Sequence, residues 1–67
     1  MNWELVNQLS EWIETNPIAE NLVDTMEEIM PPEKVTFDNA KNIYLDFLYT
    51  ELTDGLKGSA INWWKKI

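Results

Sequence analysis

The stretch that decides the fold is residues 16–32, NPIAENLVDTMEEIMPP, in which prolines bracket a run with helical periodicity. A residue before proline is pushed out of the helical region, and proline suits the first turn of a helix, so Asn16 is predicted to cap a helix that begins at Pro17. The Pro31-Pro32 pair disfavours helical geometry at the residue before it and cannot donate backbone hydrogen bonds. The sequence therefore predicts a helix over residues 17–30.

This predicted helix has one apolar side and one acidic side. The acidic side carries Glu20, Asp24, Glu27 and Glu28, spaced three or four residues apart with no lysine between them. We call these four residues the acidic row. Like charges at these spacings cost a helix a few tenths of a kcal/mol per pair, and acids near its C-terminal end oppose the helix dipole. The apolar side spans roughly 140° at 100° per residue, and it contains Ile18, Ala19, Leu22, Val23, Met26, Ile29 and Met30.

Two interpretations of the acidic row are open. In the first, it is a solvated surface that keeps a tryptophan-rich chain soluble, with Lys57, Lys65 or Lys66 folding back against it. In the second, it is a surface for a basic partner, including the case in which carboxylates imitate the phosphates of DNA. The first interpretation is the commoner origin of a charge run.

An amphipathic helix is also predicted over residues 3–15, with Trp3 outside its apolar arc. The tryptophans of the chain suggest either an aromatic platform for a ligand or the core itself. Large aromatic residues at helical spacing usually belong to the core of a small chain. We therefore predict Trp12 and one of Trp63 or Trp64 in the core, and Trp3 partly exposed. The apolar arc of this helix spans roughly 120°, and it contains Leu5, Val6, Leu9, Trp12 and Ile13.

Beyond the proline pair, a third helix is predicted over residues 37–53, capped by Thr36 or Asp38. Leu45 and Tyr49 widen its apolar face to roughly 200°, which is typical of a central helix that touches more than one neighbour. These two residues are predicted either to lie under the C-terminal helix or to form an interface with a second copy or a target protein. Glu51 falls inside the apolar arc and is predicted at its rim. The main apolar stripe consists of Phe37, Ala40, Ile43, Tyr44, Phe47, Leu48 and Leu52.

The last part of the chain predicts a turn and a further helix. Asp54-Gly55 is a turn signal that ends the third helix with Gly55 in the left-handed conformation. Ser59 is predicted to cap a short helix over residues 59–66, whose final lysines complement the helix dipole. The sequence thus predicts an all-α fold, a compact bundle of three main helices plus a short C-terminal fourth helix, in a single domain over residues 1–67.

The composition excludes several classes of function. The chain has no Cys and no His, which removes the cysteine nucleophile, the usual base near neutral pH, thiolate zinc sites and most transition-metal sites. The carboxylates lie on predicted polar helix faces with no sign of a pocket, and the sequence around Asp54-Gly55 lacks the oxygen ligands of an EF-hand. We therefore expect no catalytic residue, no cofactor and no metal.

The charge distribution narrows the choice of partner. The net charge is −7, and residues 1–33 hold eight acids and no base, whereas residues 34–67 hold four acids and five lysines. This asymmetry argues against direct nucleic-acid binding, which needs a basic footprint, and against docking on anionic membranes. No stretch approaches the ~18 apolar residues of a membrane span, and the first residues lack a secretory pattern. We expect a cytoplasmic protein.

These features predict a non-enzymatic, acidic protein-interaction module that binds and modulates, or inhibits, a partner protein with a basic surface. It fits a small regulator encoded by a phage or a bacterium. The alternative is a homo-oligomeric structural or assembly component, and a narrower alternative is a DNA-mimic inhibitor of a nucleic-acid-binding protein. The predicted contact residues are the acidic row (Glu20, Asp24, Glu27 and Glu28) together with Leu45, Tyr49 and Trp3.

Overall fold

The computed structural model describes residues 1–50 and 55–67. Within these ranges the predicted all-helical class is confirmed. The predicted positions of Glu51 and Leu52, and the predicted end of the third helix, lie outside the described residues. The elements are α1 (Trp3–Ile13), α2 (Asn16–Ile29), a 3-10 helix (Pro32–Lys34), α3 (Phe37–Thr50) and α4 (Gly55–Lys66).

The turn between α1 and α2 is made by two residues, Glu14 and Thr15. Glu14 adopts a left-handed conformation, with φ 59° and ψ 21°, and its backbone N–H donates to the carbonyl oxygen of Ser10 at 2.8 Å. Thr15 is extended and occupies the cap position of α2, without a side-chain hydrogen bond to the helix. The helix therefore begins at Asn16, one residue before the predicted start, because Glu14 and Thr15 already complete the turn.

The prolines end α2 as the sequence predicts, but the last helical residue is Ile29, one residue before the predicted end. Met30 is extended, with φ −113° and ψ 153°, and its N–H donates to the carbonyl oxygen of Met26 at 2.8 Å. After the 3-10 helix, Thr36 Oγ1 accepts the backbone N–H of Asn39 at 3.2 Å. Of the two candidate caps for α3, Thr36 is thus the one whose side chain makes the capping hydrogen bond.

The start of α4 differs from the prediction. Gly55 has a φ of +64°, in the left-handed region expected for it, but α4 begins at Gly55 itself and continues through Gly58. Ser59 is therefore not a cap: it lies inside the helix, fully buried, and among the described residues its Oγ has no hydrogen-bond partner. Packing explains the longer helix, because Leu56 and Ala60 are buried on the same side of α4 as Ser59. At 12 residues, α4 is not shorter than α1 with its 11.

The helices pack around one hydrophobic core, to which α2 contributes the most side chains. Each of α1 and α4 packs against both α2 and α3, and α2 also contacts α3. The two middle helices therefore face each other across the bundle, and their outer surfaces are directed away from each other. Although α3 touches more than one neighbour as predicted, it is less buried than α2. The buried apolar residues are Leu5, Val6, Leu9, Ala19, Leu22, Val23, Met26, Met30, Ala40, Ile43, Leu56 and Ala60.

One polar side chain joins three elements of the fold. The amide nitrogen of Asn39 donates to the carbonyl oxygen of Lys34 in the 3-10 helix at 2.8 Å. Its amide oxygen accepts the indole N–H of Trp63 from α4 at 3.1 Å. Asn39 thereby fixes the start of α3 against both the preceding turn and the last helix.

No helix within residues 1–50 and 55–67 has the length and apolar character to cross a membrane.

Candidate functional site

The acidic row lies together on the outer face of α2. Asp24, Glu27 and Glu28 are exposed and Glu20 is half-buried. The apolar arc of the helix faces the core, so the four carboxylates, which fall within roughly 100° of one another, project to the opposite side. This is the arrangement that the helical spacing predicts.

None of the described lysines neutralises the row. Lys57, Lys65 and Lys66 are exposed, and none of them lies within ion-pairing distance of an acid of α2. In the described part of the chain, the ion pair is between Lys41 and Asp38, at 3.8 Å on α3. The expected relief of the row by C-terminal lysines is thus not seen.

A small open groove borders the row at the C-terminal end of α2. Its volume is about 260 Å³, and it is lined by Asn2, Glu27, Met30, Pro32 and Val35. Within the described ranges, no three acidic side chains are grouped so that they could hold a metal ion.

A second surface lies on α3 and the adjoining edge of α1. We call it the α3 face, and it consists of four exposed apolar side chains. Tyr49 is 84% exposed and Leu48 is 51% exposed, while Trp12 and Leu45 are 40% and 39% exposed. Of the two predicted outcomes for Leu45 and Tyr49, burial under the C-terminal helix is therefore excluded.

The position of Trp12 corrects the sequence prediction, which placed it in the core. Trp12 lies at the edge of the apolar arc of α1, so its indole covers α3 instead of entering the bundle. It makes edge-to-face contacts with Phe37, at 6.3 Å between ring centroids, and with Tyr44, at 5.7 Å. Trp63 and Trp64 are both half-buried and pack against the core.

Leu48 is a further correction, because it belongs to the predicted main stripe and yet is half exposed. Successive residues of a helix are turned by about 100°. Phe47 packs against the core together with the buried Ile43. Turning these two residues inward directs Leu48 outward, beside Leu45 and Tyr49.

Two oppositely charged groups beside the α3 face, Lys41 and Asp38, pair with each other. The Lys41 ammonium lies 5.0 Å from the centroid of the Phe37 ring and 3.8 Å from the Asp38 carboxylate. An open depression of about 510 Å³ adjoins this pair, lined by Gln8, Glu11, Trp12 and Phe37. The α3 face is therefore apolar in its centre, and Glu11 and the Lys41–Asp38 pair lie at its edge.

Trp3 is 57% exposed, in agreement with its predicted partial exposure. It precedes Trp12 by nine residues, which places the two side chains roughly 180° apart around α1. The four tryptophans thus do not form a single aromatic platform, and Trp3 does not belong to the α3 face.

The two candidate surfaces lie on different sides of the molecule. The acidic row occupies the outer face of α2, and the α3 face occupies the outer side of the helix that packs against α2 across the bundle. Sequence reasoning found the row from its spacing and named Leu45 and Tyr49, but it missed Leu48 and placed Trp12 in the core.

The chain matches no model of a protein family, no curated protein and no solved structure.

Proposed function

We propose that this chain is a non-enzymatic protein-interaction module that binds and modulates a partner protein through the acidic row. The observation that carries the proposal is that the four carboxylates share the outer face of α2 with no described lysine paired to them. The arrangement lowers the stability of the helix. A partner with a basic surface would explain why the chain has an arrangement that destabilises its own helix.

Electrostatics and shape both support this kind of partner. Complementary charge accelerates encounter and suppresses binding of wrong partners. The groove beside Glu27 offers apolar walls for the methylene stem of a lysine or arginine, whose charged end would then lie at the carboxylate. Occupying the surface of the partner in this way would inhibit whatever that surface binds.

Two features of the composition support the non-enzymatic and cytoplasmic parts of the proposal. The chain contains no His and no Cys, so the side chains that most often act as bases and nucleophiles near neutral pH are missing. Absence of cysteine is compatible with a reducing compartment, where disulfides do not contribute to stability.

The test is affinity capture from a lysate of the native host, comparing the wild type with the triple variant Glu20→Lys, Asp24→Lys and Glu27→Lys. We expect the wild type to capture a basic protein, and the variant to lose it. Because an exposed ionic interface is screened by salt, the wild-type complex should also dissociate as salt rises toward ~0.5 M.

A matched control separates the row from net charge. The variant Glu4→Lys, Glu14→Lys and Glu33→Lys changes the charge by the same amount at three exposed acids outside the row. It should capture the partner nearly as well as the wild type. Equal capture by the row variant and the wild type would contradict the proposal.

A further inference from the structure

We propose that the α3 face binds a second copy of this chain, so that the protein is a symmetric dimer joined through α3. In this dimer the two acidic rows are directed outward on opposite sides. The inference concerns the other side of the molecule from the acidic row and does not depend on the proposed function.

The first step is the amount of apolar surface. The exposed fractions of Trp12, Leu45, Leu48 and Tyr49 together equal about two whole side chains, or roughly 400 Å² at ~200 Å² per large aromatic residue. A standard interface buries ~800 Å² on each partner, somewhat more than half of it apolar. The α3 face thus supplies most of the apolar part of such an interface.

The second step is self-complementarity. Lys41, Leu45 and Tyr49 are each four residues apart, so they form one row along α3. In an antiparallel pair of α3 helices with the two-fold axis at Leu45, Lys41 of one copy lies opposite Tyr49 of the other. Two-fold symmetry makes this contact twice.

The chemistry of that contact already occurs within the chain. The Lys41 ammonium lies 5.0 Å from the centroid of the Phe37 ring. An ammonium is attracted to the face of an aromatic ring, and the exposed Tyr49 ring offers a second such face. Tyr49 of the other copy can therefore cover Lys41 on the side away from Phe37.

The third step is charge. Two copies that each carry a net charge of −7 repel one another, so they can meet only at a face with little charge and away from the acidic row. The α3 face fits both conditions better than the outer face of α2, because its four exposed side chains are uncharged, Lys41 pairs with Asp38 and the row lies across the bundle. A basic partner, by contrast, is attracted to α2.

The test is sedimentation equilibrium of the purified chain from ~10 µM to ~1 mM, a range that detects a weak dimer. We expect the mass to rise from 7.9 kDa to twice that value. Leu45→Glu and Tyr49→Glu should each weaken the association at least about tenfold, as substitutions at the centre of an interface do. Trp3→Glu is the matched control, since it also places an acid at an exposed aromatic or aliphatic position, but off the α3 face.

A second measurement tests the position of the axis. The chain has no cysteine, so Leu45→Cys introduces a single thiol at the proposed axis, and oxidised glutathione should convert the variant rapidly to a disulfide-linked dimer. Trp3→Cys should cross-link much more slowly. A wild type that stays monomeric at the highest concentration would overturn the proposal, even if the α3 face then binds a different protein. A dimer that is insensitive to Leu45→Glu and Tyr49→Glu would overturn it as well.

Discussion

A buried hydroxyl without a hydrogen-bond partner lowers stability, and Ser59 carries such a group inside α4. Replacing Ser59 by Ala removes the unpaired oxygen and substitutes a residue with higher helix propensity, while the small side chain still fills its site. We expect Ser59→Ala to raise the free energy of unfolding by about 1 kcal/mol. Urea denaturation followed by circular dichroism measures this change.

Ser10→Ala is the control for the propensity part of that gain. Ser10 lies inside α1 and is half-buried rather than fully buried. Its replacement should therefore give a smaller increase than Ser59→Ala. A loss of stability in Ser59→Ala would mean that the hydroxyl has a hydrogen-bond partner, contrary to our account of this site.

Asn39 shows how a single residue can hold distant parts of the chain together. Asn39 follows Thr36 by three residues, so its backbone N–H can donate to the side chain of Thr36 at the start of the helix. This relationship can be predicted from the sequence. Its bond to Trp63, 24 residues away, has no counterpart in any local pattern. The bond exists because α3 and α4 pack side by side.

At the level of the helix, the acidic row lowers the stability of α2, and in our proposal it is also the surface that binds the partner. Glu28 lies one turn after Asp24 and in the last turn of α2, so it repels a like charge and opposes the helix dipole. Glu28→Lys reverses both effects, and we expect it to stabilise the protein by about 0.5 to 1 kcal/mol at low salt. The same variant should bind the partner more weakly. Thermal unfolding and the capture assay measure the two changes.

Glu28→Gln is the matched control, because it removes the repulsion without adding a cation. Its free energy of unfolding should lie between those of the wild type and Glu28→Lys. Both gains should shrink as salt is added, since the charges are exposed. A destabilised Glu28→Lys would show that the carboxylate of Glu28 makes a favourable contact, contrary to our account of the row.

For the whole molecule, excess negative charge opposes compaction. The net charge is −7, and the isoelectric point calculated from the sequence is about 4.2. Salt screens repulsion between exposed charges, so we expect Tm to rise by several degrees as sodium chloride increases from ~20 mM to ~300 mM. Scanning calorimetry at constant pH measures this effect.

The triple variant Glu20→Lys, Asp24→Lys and Glu27→Lys tests the origin of that salt effect. It nearly neutralises the chain and converts the outer face of α2 to a mixed surface. Its Tm should respond to salt much less than that of the wild type. An equal response would show that the acidic row is not the main source of repulsion.

The sequence by itself determined the helical class, the bounds of α2 to within one residue at each end, and the side of α2 on which the acidic row lies. Those features depend on local chemistry: proline removes a backbone donor and restricts the residue before it, and a period of 3.6 separates Leu22 and Met26 from Asp24 and Glu28. Absence of His and Cys likewise limits the chemistry of the chain before any fold is known.

Only the tertiary structure decided which apolar residues stay outside the core and how far α4 extends. Periodicity gives Trp12 and Leu48 the same apolar status as their buried neighbours, but each helix can turn only part of its wide face inward. Contacts between helices select that part, and they leave Trp12, Leu48 and Tyr49 exposed while burying Ser59. The α3 face is therefore a product of packing between segments that are distant in the sequence.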